Sequence, residues 1–140
     1  VNAQTNTYTN SKRVLVVDDS GTMRSIHRGI LKMLGHEDVI EARDGSEALD
    51  KLAVFTPDLV LVDWKMPKMD GLLFVRALRS KGIDAPVIMI SAEADREGVV
   101  AAIRAGVSAF VVKPFTPDVL SQRIAEFLPQ GQKQELLLAR

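Results

Sequence analysis

The chain has no cysteine among its 140 residues, which excludes a disulfide framework, a thiolate metal site and a cysteine nucleophile. Histidine is nearly as scarce. His27 and His36 stand alone, too few for a His-ligated zinc or haem site, and are assigned surface or packing roles. An excess of charge is also missing: eighteen Lys and Arg balance eighteen Asp and Glu. Nothing global therefore draws the chain to nucleic acid or an anionic membrane, and neither a nucleic-acid partner nor membrane insertion is expected. No apolar run approaches the ~18 residues that span a bilayer, and the amino-terminal stretch is polar rather than signal-like. The chain reads as soluble, unexported and cytoplasmic. A P-loop is absent, because no GxxxxGK followed by Ser or Thr occurs.

What is present is ordinary for one globular domain: 15.4 kDa, 46% hydrophobic and 26% charged. That size is expected to leave no room for a second full domain or a built-in effector. Residues 1–12 are mostly Asn, Thr, Ser and Gln without acids or apolar periodicity, and read as a flexible arm. The domain is expected over residues 13–128, with a Leu-containing tail over 129–140.

Four short runs are apolar at adjacent positions: Val14 to Val17, Leu59 to Val62, Val87 to Ile90, and Phe110 to Val112. Such runs suit parallel strands covered by helices on both faces. Asp38 to Ala42 is a fifth, more polar candidate for a sheet edge. Between the strands lie helical signals. Met23, Ile26, Ile30 and Leu34 follow three-four spacing and Gly35 follows them. Asp44 and Glu47 resemble a capping box ahead of Ala48, Leu49 and Leu52. Asp70 caps a segment carrying Leu72, Val75 and Leu78, ending near Gly82. Val99, Val100 and Ile103 mark a fourth helix that ends at Gly106, and Thr116 with Pro117 opens a fifth carrying Leu120, Ile124, Phe127 and Leu128. The order βαβαβαβαβα predicts a doubly wound α/β fold on a five-stranded parallel sheet.

Each of the four apolar strands is followed by a polar side chain: Asp18 and Asp19, then Asp63, Ser91 and Lys113. Ligand sites in open parallel sheets form beyond the carboxyl ends of the strands, so these residues are expected to converge. Three carboxylates within a few ångströms either raise a pKa or require a cation. With Lys113 nearby, about two negative charges remain, and all-oxygen ligands point to a hard ion that keeps waters, Mg²⁺. A carboxylate nucleophile, a metal, a lysine and a small hydroxyl are the parts needed for phosphoryl transfer.

The stretches Val16-Val17-Asp18-Asp19-Ser20, Asp63-Trp64-Lys65-Met66-Pro67-Lys68-Met69-Asp70-Gly71, Ser91-Ala92-Glu93-Ala94 and Val111-Val112-Lys113-Pro114-Phe115 resemble the receiver domain of two-component response regulators. Among these, the single-domain chemotaxis regulators are the most similar. The resemblance runs from about Arg13 to Leu128 and implies the flavodoxin-like strand order 2-1-3-4-5 known for that family. It also implies that Asp63 accepts a phosphoryl group from the phosphohistidine of a sensor histidine kinase. Asp18, Asp19, Asp63 and the backbone carbonyl of Lys65 are the implied Mg²⁺ ligands, Asp18 acting mainly through water. Ser91 and Lys113 would hold phosphoryl oxygens, and the small Ala92 would leave access to the phosphoryl group open. Lys113-Pro114 is expected to be cis.

Lys65 replaces the Asn of the familiar chemotaxis regulator. Residues two beyond the phosphoacceptor and two beyond Ser91 flank the path of the attacking water in this family. Lys65 and Glu93, which stand there, are expected to pair over the acyl phosphate and modulate dephosphorylation. The switch implied by the resemblance couples Ser91 to inward rotation of Phe110. The implied output surface comprises Val99, Ile103, Val107, Phe110 and Arg123, read by a downstream target such as the flagellar motor switch, with a phosphatase as a further partner. Three readings compete: a phosphorylation-operated switch that catalyses only its own phosphorylation and dephosphorylation, with a relay or phosphate sink as variants; an Asp-nucleophile phosphatase of the haloacid dehalogenase type; and a phosphorylation-independent scaffold. Lys65 disfavours the second, which wants an Asp at that position.

Overall fold

The computed structural model describes residues 12–129. The tail after Pro129, and the expected arm apart from Lys12, lie outside them. The elements alternate as predicted: β1 (Arg13–Val17), α1 (Gly21–Met33), β2 (Asp38–Ala42), α2 (Gly45–Lys51), β3 (Leu59–Asp63), α3 (Gly71–Ser80), β4 (Val87–Ser91), α4 (Arg96–Ala105), β5 (Ala109–Val112) and α5 (Pro117–Phe127). The strands form one parallel sheet in the order β2-β1-β3-β4-β5.

Because side chains alternate across a strand, the apolar runs divide between two cores. Leu15, Val17, Val60, Val62 and Met89 join Ala48, Phe74, Leu78 and Ala102 on one face. Val14, Val16, Leu59, Leu61, Ile88 and Ile90 join Ile30, Leu31, Leu120 and Ile124 on the other. Each fully buried Leu, Ile or Phe contributes roughly 1.5–3 kcal/mol, and this two-sided burial is why β3 and β4 carry no polar residue before their final positions and β1 none after exposed Arg13.

The fourth apolar run behaves differently. β5 is an edge strand, with Ala109 and Phe110 half-buried and Val112 47% exposed, so only Val111 is covered as predicted. Two helix faces are also rotated from their apolar stripes. α1 buries His27, Ile30 and Leu31 while Ile26 is exposed, because the His27 ring stacks on Phe115 at 5.9 Å. α4 buries only Ala102 and leaves Val100 and Ile103 exposed. Its Gly98 lies against the Trp64 ring, where a Cβ would stand 3.2 Å from the indole, so contact with Trp64 rather than the apolar stripe sets that end of the helix.

The caps are mostly as read. Asp70 accepts from the Leu73 N–H at 2.9 Å and Thr116 from Val119 at 3.3 Å. Asp44 accepts from Glu47 at 2.8 Å, but Glu47 returns its bond to the Arg43 N–H at 2.9 Å rather than to Asp44, displacing the expected capping box by one residue. α4 ends on Gly106 at φ 109, a left-handed turn that favours glycine. That turn sends Val107 inward, its N–H donating to Ala102 O at 3.0 Å. Val107 is therefore buried in the core and does not lie on the output surface where it was expected.

Candidate acidic site at the carboxyl edge of the sheet

Strand register brings the polar residues together. β1 and β3 are neighbours, Val17 opposite Val62, and β2 and β4 depart to opposite sides of this central pair, the arrangement that opens a crevice at the carboxyl ends of strands. Asp18, Asp19 and Asp63 each place a carboxylate oxygen within 4.8 Å of the others. Lys113 lies opposite, its Nζ 3.3 Å from Asp63 Oδ1 and 4.0 Å from Asp18 Oδ2. The peptide bond after it, Lys113-Pro114, is cis, and the Lys113 N–H donates to Ser91 O at 2.8 Å.

Asp18 and Asp63 are buried while Asp19 is exposed. Asp18 Oδ1 accepts from the Ser20 N–H at 2.9 Å, but buried Oδ2 has no hydrogen-bond partner. Burial, reinforced by the neighbouring Asp63 charge, pushes the Asp18 carboxyl up to about 6 against the pull of the Ser20 N–H and Lys113. Burial also raises Asp63, partly offset by Lys113. Three carboxylates that Lys113 only partly offsets, one oxygen among them accepting no hydrogen bond, form a hard, all-oxygen donor set that fits a divalent cation such as Mg²⁺. Lys65, whose carbonyl was the fourth expected ligand, sits in the loop just beyond Asp63.

Ser91 is buried, its Oγ accepting from the Glu93 N–H at 3.1 Å, and Ala92 beside it is exposed. Lys65 Nζ lies 3.6 Å from Glu93 Oε2, with both side chains about two-thirds exposed (67% and 68%). Phe110 is half-buried, its ring edge-on to Trp64 at 6.3 Å. Of the other residues assigned to the output surface, Val99 is half-buried, Ile103 is 62% exposed, and exposed Arg123 pairs with Glu126 at 3.0 Å.

Three contributors to the site escaped sequence reading. The sequence marks Gly71 only as part of a motif, yet a Cβ there would fall 2.3 Å from the Asp63 carbonyl oxygen; its N–H also donates to Trp64 O at 2.8 Å. Only a residue without a side chain permits this approach, and the Asp-Gly pair at a helix start was the available signal. Arg24 donates to Asp18 O at 2.8 Å and pairs with Glu41 at 3.0 Å, fixing the β1–α1 turn. Trp64 bridges the end of β3 to α4 and Phe110. Neither Arg24 nor Trp64 had a local signature.

The model of the response regulator receiver domain matches residues 14–125. A chemotaxis protein CheY homolog of Campylobacter jejuni is 45% identical over 122 residues, covering 85% of this chain and 94% of its own. CheY1 of Helicobacter pylori is 46% identical over 115 residues, covering 80% and 93%. Among solved structures, CheY4 of Vibrio cholerae superposes with a TM-score of 0.79 at 33% identity, covering 84% of this chain and 99% of that one. A CheY-like receiver domain protein from Methanospirillum hungatei also gives 0.79, at 31% identity, covering 90% and 99%.

Proposed function

The chain belongs to the response regulator receiver domain family, and from that premise we propose that Asp63 accepts a phosphoryl group from a sensor histidine kinase and thereby switches a protein-binding surface. The observation that carries this reading is the convergence of Asp18, Asp19 and Asp63 opposite Lys113, with Asp18 Oδ2 buried and accepting no hydrogen bond. A carboxylate oxygen of Asp63 forms the new P–O bond as the P–N bond of the phosphohistidine breaks, and the electron pair and then a proton go to the imidazole nitrogen. Asp18, Asp19, Asp63 and the Lys65 carbonyl would hold Mg²⁺, which would supply positive charge to offset the transferred group.

The chain's own residues do the rest. Lys113 places a cation beside the Asp63 oxygen and pairs with a phosphoryl oxygen. Ser91 turns its hydroxyl to another, giving up the Glu93 N–H, and Ala92 leaves the approach open. Lys65 and Glu93 stand over the acyl phosphate and tune its hydrolysis. Phosphorylation raises the charge on Asp63 from one negative to about two, and the movement of Ser91 makes room for Phe110 to turn inward beside Trp64. The surface that changes comprises Val99, Ile103, Phe110 and Arg123. The receiver unit runs from residue 13 to 128.

Catalysis is confined to the chain's own phosphorylation and dephosphorylation. Relatives named as chemotaxis proteins favour a target in motor control, with the kinase and that target met in the cytoplasm. The test is incubation of the full chain with acetyl phosphate and Mg²⁺. One adduct of about 80 Da is expected, not formed when a chelator is present from the start and absent from Asp63→Asn. Steady turnover of a phosphomonoester instead points to the phosphatase reading.

A further inference from the structure

A groove between α3 and α4 lies apart from the acidic site and is used by none of the chemistry above. It is open to solvent, about 550 Å³, and lined by Arg76 of α3 and by Arg96, Glu97, Val100, Ala101 and Arg104 of α4. Its arginines are unlike most others in the described residues. Arg13, Arg24, Arg28, Arg43 and Arg123 each pair with a carboxylate, whereas Arg76, Arg96 and Arg104 are exposed and take part in none of the ion pairs there.

We propose that this groove docks an acidic segment of a partner protein. Arg96, Val100 and Arg104 recur at four-residue spacing, so the two arginines stand roughly 12 Å apart along the helix axis, farther than one phosphate or carboxylate reaches. A linear series of carboxylates meets both, and Arg76 approaches from the facing helix. Guanidinium forks suit carboxylates in paired geometry. Val100 and Ala101 offer an apolar floor for side chains between the acids, which a polyphosphate backbone does not need. Glu97 leaves the lining at a net charge of about +2, and its carboxylate repels a dense polyanion.

The groove is preformed at one end. Arg79 of α3 donates to Gly106 O beyond α4 at 2.7 Å and to Ile83 O and Ala85 O at 2.8 and 2.7 Å, tying the carboxyl ends of the two helices together. The chain's own ends lack the complementary charge. Residues 1–11 contain no Asp or Glu, and residues 130–140 contain one Glu against one Lys and one Arg. Neither of these segments supplies a series of carboxylates, so the occupant proposed is a separate acidic protein.

The test titrates the ¹⁵N-labelled full chain with a twelve-residue peptide carrying glutamate at every fourth position and leucine and alanine between. A glutamine counterpart and a single-stranded oligonucleotide form the other arms. Saturable amide shifts along the groove are expected, with a dissociation constant on the order of 0.1–1 mM. Arg76→Ala with Arg104→Ala weakens binding about tenfold or more, Glu97→Gln tightens it, the glutamine peptide does not bind, and added salt weakens the complex. Amide shifts elsewhere in the double variant stay unchanged, and so does Asp63 labelling by acetyl phosphate, which separates this site from the phosphoryl chemistry. Absence of shifts, shifts confined to Val99, Ile103 and Phe110, or tighter binding of the oligonucleotide in the groove overturns the proposal.

Discussion

Asp18 carries a conflict that no neighbouring side chain resolves. Its carboxyl is buried, one oxygen accepts no hydrogen bond and lies 4.0 Å from the Lys113 ammonium, and its pKa is raised to about 6. A carboxyl raised on folding gives stability that is full below its unfolded value of 3.8 and is lost as pH rises through about 6. At neutral pH without metal the ionised group costs about 2–3 kcal/mol. Asp18→Asn, which keeps the oxygen that meets the Ser20 N–H, is therefore predicted to stabilise the metal-free chain by about 1–2 kcal/mol at pH 7.5 and to have little effect at pH 4. Urea midpoints at the two pH values, without and with Mg²⁺, check this, and the variant's gain from Mg²⁺ should shrink. Lys65 and Glu93 pose a smaller conflict. Their contact is exposed and contributes under about 1 kcal/mol to stability, and the role proposed for it is in the lifetime of the acyl phosphate. Lys65→Asn and Glu93→Ala should each change the dephosphorylation rate several-fold without shifting the melting temperature; unaltered rates contradict the assignment. These residues were legible because each follows or lies just beyond a strand end. The orphaned oxygen and the 3.6 Å approach of Lys65 to Glu93 depend on packing that no local pattern encodes.

At the scale of elements, the sequence marked where helices and central strands begin and end more faithfully than which face turns inward. Three-four spacing put Ile26 inside, yet α1 turns so that His27 meets Phe115, and the α4 stripe of Val100 and Ile103 faces out. An apolar stripe reports burial only where a neighbour is large enough to cover it, and α4 instead packs Gly98 against Trp64 and Ala102 into the core. His27 has neither ring nitrogen partnered, and burial pushes its imidazole down to about 4. A histidine lowered on folding gives stability that is present above its unfolded value near 6.5 and lost as pH falls through about 4. His27→Leu is predicted to raise stability by about 1 kcal/mol at pH 7 and by more at pH 4.5, since it removes unsatisfied buried polar atoms; thermal melts at both values measure the difference. Gly71 tests the junction of β3 and α3. Gly71→Ala forces a methyl against the Asp63 carbonyl and should cost about 2 kcal/mol or more, with a slower rate of Asp63 labelling in the fraction that remains folded.

For the whole molecule, net zero charge conceals strong segregation. An acidic pocket sits at the carboxyl edge of the sheet, and a basic groove whose arginines make no ion pair among the described residues runs between α3 and α4. Element order and the convergence of Asp18, Asp63, Ser91 and Lys113 were readable because a parallel sheet must gather its strand ends at one edge. The groove was not, because Arg76 and Arg104 lie 28 positions apart on separate helices and share a surface only after those helices pack. The central claim, that Asp63 is the phosphoacceptor, is tested most directly by locating the group added by acetyl phosphate and Mg²⁺ through peptide mass spectrometry. The account predicts a single phosphoryl group on the tryptic peptide of residues 52–65, assigned to Asp63 and absent from Asp63→Asn. Label on Asp18, Asp19 or Ser91, or label that persists in the variant, contradicts it.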